Sequence, residues 1–213
     1  MIYQFPPPAA PIRQGDIFET MPRVDFSLAE LSIVTERNEP EAVTWDIVRG
    51  SADPVTAVVG LRAVWAIVIT QDCDTIRAPD ITLCEIKPFR DVLRVPLPTT
   101  PKGWADLLRR QAVQNLKWFY LPSDPTVGFN DRMAVDFLAT LRVAREDLEA
   151  ARYLRRGRLN DVADEHFRER LAEFFRRYPY NEWYPFTREE FEAYRAGHPQ
   201  EADFIHPYDH QQY

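Results

Sequence analysis

Residues 63–70 have the sequence Ala-Val-Trp-Ala-Ile-Val-Ile-Thr, the longest apolar run of the chain. The run is rich in β-branched and aromatic side chains, which is typical of a strand that is buried on both faces. Successive side chains of a strand point to opposite sides, so we expect the odd-numbered residues to be buried on one face and the even-numbered residues on the other. A sheet built around this strand is therefore the centre of the predicted fold.

Shorter strand signals lie on both sides of this run. A tight turn at Gly15-Asp16 leads into a first strand, and short apolar patterns predict two further strands at residues 27–33 and 43–48. Three predicted strands follow the central run: Ile81–Ile86, Trp118–Leu121 and Met133–Leu138. We expect the last of them to complete the same sheet.

The pattern changes to helical spacing from Arg145 onward. A helix is predicted over Glu165–Arg177, with Asp164 as its N-cap residue. The apolar residues of this helix should pack inward as one stripe: Phe167, Leu171, Phe174 and Phe175. Strands followed by helices, without regular alternation, indicate the α+β fold class.

This order divides the chain into three parts. Residues 1–11 are rich in proline, which predicts an extended arm. Residues 12–140 form a β-rich domain, and residues 141–213 form a C-terminal helical lobe with a polar tail. The predicted architecture is a small, strongly bent antiparallel sheet or barrel, followed by the helical lobe.

The composition is that of an ordinary globular protein, with 45% hydrophobic and 28% charged residues. The net charge of −7 disfavours broad non-specific binding to nucleic acid or to an anionic membrane. The N-terminus lacks a signal-peptide pattern, and no apolar run has the length of a membrane span. A soluble, cytoplasmic protein with no membrane partner is therefore expected.

The sequence predicts neither a cofactor nor a metal site. The chain has seven glycines and lacks a glycine-rich phosphate-binding loop. Its two cysteines, Cys73 and Cys84, lie eleven residues apart and do not have the close spacing of zinc ligands. His206 and His210 are separated by Pro207, which disfavours a helical ligand pair.

Polar and reactive side chains follow the end of the central strand. Asp72 and Asp74 are candidate catalytic residues, and Gln71 and Cys73 are candidate binding residues, because a strand end fixes side chains beside a loop that admits a ligand. On an extended chain the two carboxylates would share one face, and their repulsion would raise one pKa and suit acid–base chemistry or a divalent cation. The alternative interpretation is that both carboxylates bond to loop amides and that Cys73 is a small core residue.

A second candidate site is the arginine-rich segment of residues 151–178, which holds eight arginines and five acidic residues. Arg168, Arg176 and Arg177 are candidate ligands for the phosphates of single-stranded nucleic acid, whose bases would stack on nearby aromatic residues. The alternative interpretation is a solvated helix face with intrahelical ion pairs, since no nucleic-acid-binding motif accompanies the charge.

Two motifs resemble those of a group of bacterial proteins. Gln14-Gly15-Asp16-Ile17 and Thr70-Gln71-Asp72-Cys73-Asp74 together resemble the QGDI and SQxCD pattern of that group, with Thr70 at the position of the serine. The first motif is also similar, more distantly, to the opening of the PemK/MazF toxin family, which implies an SH3-like barrel over residues 12–140. Those toxins have an arginine beside a proline just before the central strand, whereas here Arg62 lies between two apolar residues. Arg62 is thus a displaced counterpart, and the resemblance implies the fold rather than the ribonuclease activity.

The sequence supports two hypotheses of function and leaves open whether the protein is an enzyme. The first is a binding or regulatory component of a bacterial system, of the toxin–antitoxin or phage-defence kind that the resemblance implies. A protein partner is expected because the helical lobe has no counterpart in the compact toxins, and nucleic acid is a candidate partner through the C-terminal arginines. The second is an RNase-like hydrolase in which Asp72 and Asp74 are the acid–base pair and Arg62 stabilises the transition state.

Overall fold

The computed structural model describes residues 2–25, 27–35, 37–51, 53–92 and 97–176, together with Glu189, Glu192, Ala193 and Ala196. The chain divides into two compact units, Met1–Leu171 and Ala172–Tyr213. No helix within the described residues is long and apolar enough to cross a membrane.

The described residues up to position 176 form ten strands, six α-helices and one 3₁₀ turn. The strands are β1 (Tyr3–Gln4), β2 (Asp16–Val24), β3 (Leu31–Val34), β4 (Pro40–Val43), β5 (Ala57–Val58), β6 (Leu61–Val68), β7 (Asp80–Pro88), β8 (Trp118–Leu121), β9 (Met133–Ala144) and β10 (Arg155–Leu159). The helices are α1 (Trp45–Val48), α2 (Asp72–Thr75), α3 (Phe89–Val92), α4 (Pro101–Gln114), α5 (Arg145–Ala150) and α6 (Asp161–Arg176), and the 3₁₀ turn is Arg152–Leu154.

The main sheet has seven antiparallel strands in the order β1-β10-β2-β6-β7-β9-β8. The predicted central strand is β6, and its buried residues lie on both faces, with Val64, Ala66 and Val68 on one and Ile67 on the other. The α+β class is therefore confirmed. Trp65 and Ile69 were expected to be buried beside Ile67 but are half-buried, so burial of this run is complete on one face and partial on the other.

The sheet is bent but open, so the predicted barrel is wrong for the part of the chain that the structure describes. Register shifts between Phe18 and Met21 in β2 and between Asp136 and Thr140 in β9 mark β-bulges, which increase bending and twist. The two edge strands, β1 and β8, share no backbone pairing among the described residues. The hydroxyl of Tyr3 in β1 donates instead to the carbonyl oxygen of Pro122, just after β8, at 2.8 Å. The bend brings the edges close at one end, and a side chain rather than a strand pair joins them.

Residues 25–60, here called the insert, leave the main sheet between β2 and β6. They form a separate antiparallel sheet in the order β4-β3-β5 and the one-turn helix α1. Two short strands were predicted in this region, and the second was placed at residues 43–48. That placement is wrong, because β4 ends at Val43 and residues 45–48 are helical.

Each face of the main sheet has its own apolar core. One face carries Phe18 and Leu83 together with the even-numbered residues of β6, and Leu148 of α5 packs there. On the other face, the ring of Phe167 in α6 lies 5.1 Å from that of Phe119 in β8 and 5.8 Å from that of Phe137 in β9. Helices thus cover both faces of the sheet, and the strand pattern of the sequence reflects this two-sided burial.

The C-terminal region departs from the prediction of continuous helix in three respects. The predicted domain boundary at residue 140 falls inside β9, and β10 at residues 155–159 returns to the main sheet beside β2. Helix α6 begins at Asp161, and the Oδ1 of Asn160, not Asp164, accepts the backbone N–H of Ala163 as the cap. Phe167 and Phe174 are buried as predicted, but Leu171 is only half-buried and Phe175 is exposed.

Candidate functional site

The predicted strand-end cluster is a single helical turn, α2, rather than an extended segment. Side chains two residues apart on a helix point about 200° away from each other, so Asp72 and Asp74 do not share a face. Asp72 is half-buried, whereas Asp74 is exposed. The structure therefore does not form the repelling carboxylate pair that was expected from an extended chain.

Asp72 is the centre of an ion-pair network. Its Oδ2 accepts hydrogen bonds from the Arg13 guanidinium at 2.7 and 3.0 Å and from Arg168 Nη2 at 3.0 Å. Its Oδ1 accepts the backbone N–H of Gln14 at 2.8 Å. The structure thus brings two of the predicted site residues, Asp72 and Arg168, together through a direct ion pair.

The first sequence motif lies directly against the second. The side-chain amide of Gln14 donates to the carbonyl oxygen of Ile69 at 2.8 Å, and the N–H of Gly15 donates to the carbonyl oxygen of Val68 at 3.0 Å. Gly15 has a φ of +82°, and a Cβ there would lie 2.9 Å from Oδ1 of Asp164. The positive φ favours glycine at this position, and a Cβ there would also have to displace the carboxyl group of Asp164.

Asp16 anchors the far side of the same network. It is fully buried and accepts hydrogen bonds from Arg158 at 2.5 and 3.0 Å and from Arg155 at 3.1 Å. Both arginines also donate to carbonyl oxygens of the proline-rich arm, at Pro7, Pro8 and Pro11. These contacts hold the arm against the sheet and give the buried charges the partners that they require.

Two carboxyl groups of the network have shifted pKa values in opposite directions. Burial alone would raise the pKa of Asp72, but the hydrogen bonds from Arg13 and Gln14 and the charges of Arg13 and Arg168 outweigh burial and lower the pKa. Burial raises the pKa of Asp164, and the charge of Arg168 opposes that shift only in part. Asp72 is therefore a stable anion at neutral pH, which suits a structural ion pair better than a general acid.

The other predicted site residues of this turn make no side-chain contact with the network. Gln71, Cys73 and Asp74 are exposed, and the Sγ of Cys73 lies 3.9 Å from Oε1 of Gln71. Cys84 is buried in β7, where burial raises the pKa of its thiol to about 12. In the described part of the chain, no three histidine, cysteine, aspartate or glutamate residues lie close enough to hold a metal ion.

Arg62 lies at the opposite end of β6 from the strand-end cluster. Val68 follows it by six positions along the strand, which corresponds to about 20 Å. Its guanidinium binds the buried carboxylate of Glu85 at 2.7 and 3.0 Å and Asp25 at 2.7 Å. Hydrogen bonds from Arg62 and Arg23 lower the pKa of Asp25 to about 2. The hydrolase hypothesis requires Arg62 to lie beside Asp72 and Asp74. The structure does not place it there.

The C-terminal arginines mostly donate to the protein itself. Six of the eight have such partners: Arg152 with Ala9, Arg155 and Arg158 with Asp16, Arg156 with Glu19, Arg168 with Asp72, and Arg170 with Trp118. Arg176 is exposed at the end of α6, and Arg177 lies outside the described residues. The segment is thus largely an internal network rather than a row of cations facing solvent.

Sequence reasoning missed an apolar surface on and beside the insert. Eight large apolar residues between positions 24 and 61 are each 40–65% exposed: Val24, Leu28, Trp45, Ile47, Val55, Val58, Val59 and Leu61. Among the described large apolar residues of the insert, Leu31 and Val43 are the buried ones. The sequence did carry a signal, because this segment has many apolar residues that do not repeat with a regular period. Such a pattern allows strands to be predicted but does not show which of their side chains are exposed.

Some of these residues are direct neighbours. Val24 and Leu61 are paired across β2 and β6, and Val59 precedes Leu61 by two positions. The N–H of Trp45 donates to the carbonyl oxygen of Leu28 at 3.1 Å, which places the exposed side of α1 beside the start of the insert. We refer to the eight residues as the insert surface.

The aromatic cavity beside β8 was also missed. Its walls come from β8, α3, α4 and α6, and its volume is about 290 Å³. The strand pattern at residues 118–121 predicted β8 correctly but gave no indication that both of its faces border a cavity.

No protein-family model, curated protein or solved structure matches the chain.

Proposed function

We propose that the protein is a binding component that docks another protein on the insert surface. The observation that carries this proposal is the exposure of eight large apolar side chains within 38 consecutive residues. Isolated exposed apolar residues are common, but concentrations of them on one module are typical of interaction sites. Burying them against a partner would remove apolar area from water that the insert cannot cover by itself.

The charge of the insert defines the partner further. Residues 25–60 hold seven acidic and two basic residues, a net charge of −5 out of −7 for the whole chain. Complementary charge accelerates association and selects between partners. The partner that fits is a protein segment with both apolar and basic side chains.

A second copy of this chain fits less well. In a twofold dimer built on this surface, each acidic insert would lie against an identical acidic insert. Like charges across an interface disfavour association. The same negative charge also disfavours nucleic acid on this surface.

The setting of a toxin–antitoxin or phage-defence system is part of the proposal and rests on the resemblance of the Gln14–Ile17 and Gln71–Asp74 motifs. Such systems require a component that binds a partner, and the insert surface supplies the contact area. The hydrolase alternative has less geometric support, because Asp72 is held in ion pairs with Arg13 and Arg168, whereas Arg62 lies at the other end of β6 and binds Glu85 and Asp25.

Site-specific photo-crosslinking tests the docking surface. The full chain, carrying a photoreactive residue at Ile47 in the insert, is irradiated in native extract and the crosslinked protein is identified. Leu138 of β9, which is also exposed, is the matched control position. We expect a protein partner with a basic apolar segment to crosslink at position 47 and not at position 138.

Affinity measurements with the purified partner complete the test. The double variant W45S/I47S removes apolar area and E39K/E41K reverses local charge, and each should weaken binding at least tenfold, while L138S should leave it unchanged. The proposal is refuted if the crosslinked species is a dimer of the chain or if neither double variant changes the affinity. Growth arrest on expression together with RNA cleavage, both lost in D72N, would support the hydrolase instead.

A further inference from the structure

The cavity beside β8 combines an aromatic wall with cationic and donor groups. Its lining residues come from four elements: Phe89, Leu108, Trp118, Phe119, Tyr120, His166 and Arg170. We propose that this cavity is a binding site for a small aromatic anion, independent of the docking surface on the insert.

The cavity arises from the position of β8 at the edge of the main sheet. Trp118 and Tyr120 point to the face where Ala134 packs with α3 and α4, whereas Phe119 points to the face where Phe167 of α6 packs. Because β8 has no neighbour on its outer side within the described sheet, side chains from both faces meet beyond the strand. The cavity fills this edge position.

The wall on the side of α3 and α4 is a fixed set of aromatic rings. The rings of Phe89 and Tyr120 are 5.2 Å apart in an edge-to-face arrangement, and Trp104 lies 5.9 Å from Phe89. The guanidinium of Arg132 covers the Trp104 ring at 4.0 Å. Rings held in this way present flat apolar surface to a planar ligand without losing side-chain freedom on binding.

The opposite side of the cavity carries polar groups. His166 and Arg170 are four residues apart on α6 and therefore lie on the same face of that helix. Arg170 donates to the carbonyl oxygens of Trp118 at 3.4 Å and Asn115 at 3.2 Å, contacts that orient the guanidinium over β8. A guanidinium fixed beside a cavity favours a carboxylate or a phosphate.

Trp118 supplies a further donor. Its indole Nε1 is buried and has no hydrogen-bond partner within the described residues. Buried donors of this kind are rare in native proteins and call for an acceptor. The atom is covered in the unliganded chain, so a ring acceptor or an anionic oxygen of a ligand would reach it only after the indole turns toward the cavity.

The size of the cavity restricts the ligand. A volume of about 290 Å³ lies at the lower end of the range for small-molecule sites, roughly 300–1,000 Å³. One ring system with one anionic group fits such a space. A nucleoside monophosphate and an aromatic carboxylic acid share this chemistry. Binding measurements with one probe of each class distinguish the two.

Titration calorimetry on the full chain tests the assignment with four probes: adenosine monophosphate, adenosine, indole-3-acetate and indole. We expect at least one anionic probe to bind at least tenfold more tightly than its neutral counterpart. The stronger anion identifies whether phosphate or carboxylate is preferred. R170Q should weaken the anion at least tenfold and the neutral probe less than threefold.

Two variants separate ligand contact from folding. W118F replaces the indole with a smaller phenyl ring and removes the N–H, and it should weaken the preferred anion more than its neutral counterpart while thermal unfolding stays cooperative. R142Q removes an exposed arginine of β9 that does not line the cavity, and it should bind as the unaltered chain does. The assignment is overturned if no probe binds at millimolar concentration, or if R170Q weakens charged and neutral probes equally.

Discussion

Replacement of Asp16 by alanine tests the role assigned to the buried network. Asp16 accepts hydrogen bonds from Arg155, from Arg158 and from the backbone N–H of Arg13. Its side chain is fully buried, and the side chains of Arg155 and Arg158 are only 3% and 10% exposed. The alanine variant would leave two nearly buried guanidinium groups without their counter-ion.

The expected loss follows from this burial. Removing one partner of a buried ion pair typically costs about 3–5 kcal/mol. The arginines keep their bonds to the carbonyl oxygens of Pro7, Pro8 and Pro11, which moderates the penalty. We therefore expect the free energy of unfolding to fall by about 3 kcal/mol, a large part of the 5–15 kcal/mol typical of a domain.

Urea denaturation of the full chain, followed by tryptophan fluorescence, measures this change. D74N is the control, because Asp74 is an exposed carboxylate on the same side of the molecule as the network and should change the free energy of unfolding by less than about 0.5 kcal/mol. A loss below about 1 kcal/mol in the Asp16→Ala variant would refute the reasoning, since two uncompensated buried guanidinium groups must cost more than that.

Three further predictions concern single side chains. Asp72→Asn should lower the free energy of unfolding by about 1 kcal/mol at pH 7. The expected loss is small because Arg13 is partly exposed and solvent screens its ion pair with Asp72. Because the pKa of Asp72 is lowered in the folded chain, the carboxylate stabilises the fold above its ordinary pKa of 3.8, and urea titrations of the two proteins should converge as the pH falls through the lower folded value. A thiol reagent should label Cys73 alone in the native chain and Cys84 as well in denaturant; rapid native labelling of both would contradict the burial of β7. Ile67→Ala should lower the free energy of unfolding, measured by urea denaturation, by about 2–5 kcal/mol. A loss under about 0.5 kcal/mol would show that β6 is not central.

Local sequence patterns were sufficient to predict the apolar strands of the main sheet. The run at residues 63–70 became β6, and the periods at residues 81–86 and 133–138 became parts of β7 and β9. These predictions succeeded because burial on one or both faces leaves a period of two, or a continuous run, in the sequence itself. The α+β class followed from the same signals.

Strand β10 could not be found in this way. Its sequence, Arg-Arg-Gly-Arg-Leu, has the composition of an exposed segment, yet Gly157, Arg158 and Leu159 are buried. The charge of Arg158 is accepted in the interior because Asp16, 142 positions away, lies against it. No local pattern can show that a charge has a distant partner.

The sequence by itself determined the central strand, the fold class and the two motifs that carry the resemblance. Tertiary structure alone decided that Gln14 and Asp72, 58 positions apart, are in contact, that Arg62 is not near them, and that the sheet stays open. It also decided which apolar residues remain exposed on the insert and which rings border the cavity. The physical reason is that periodicity records which side of an element is buried, whereas the pairing of charges and the closure of a sheet depend on where distant elements meet in space.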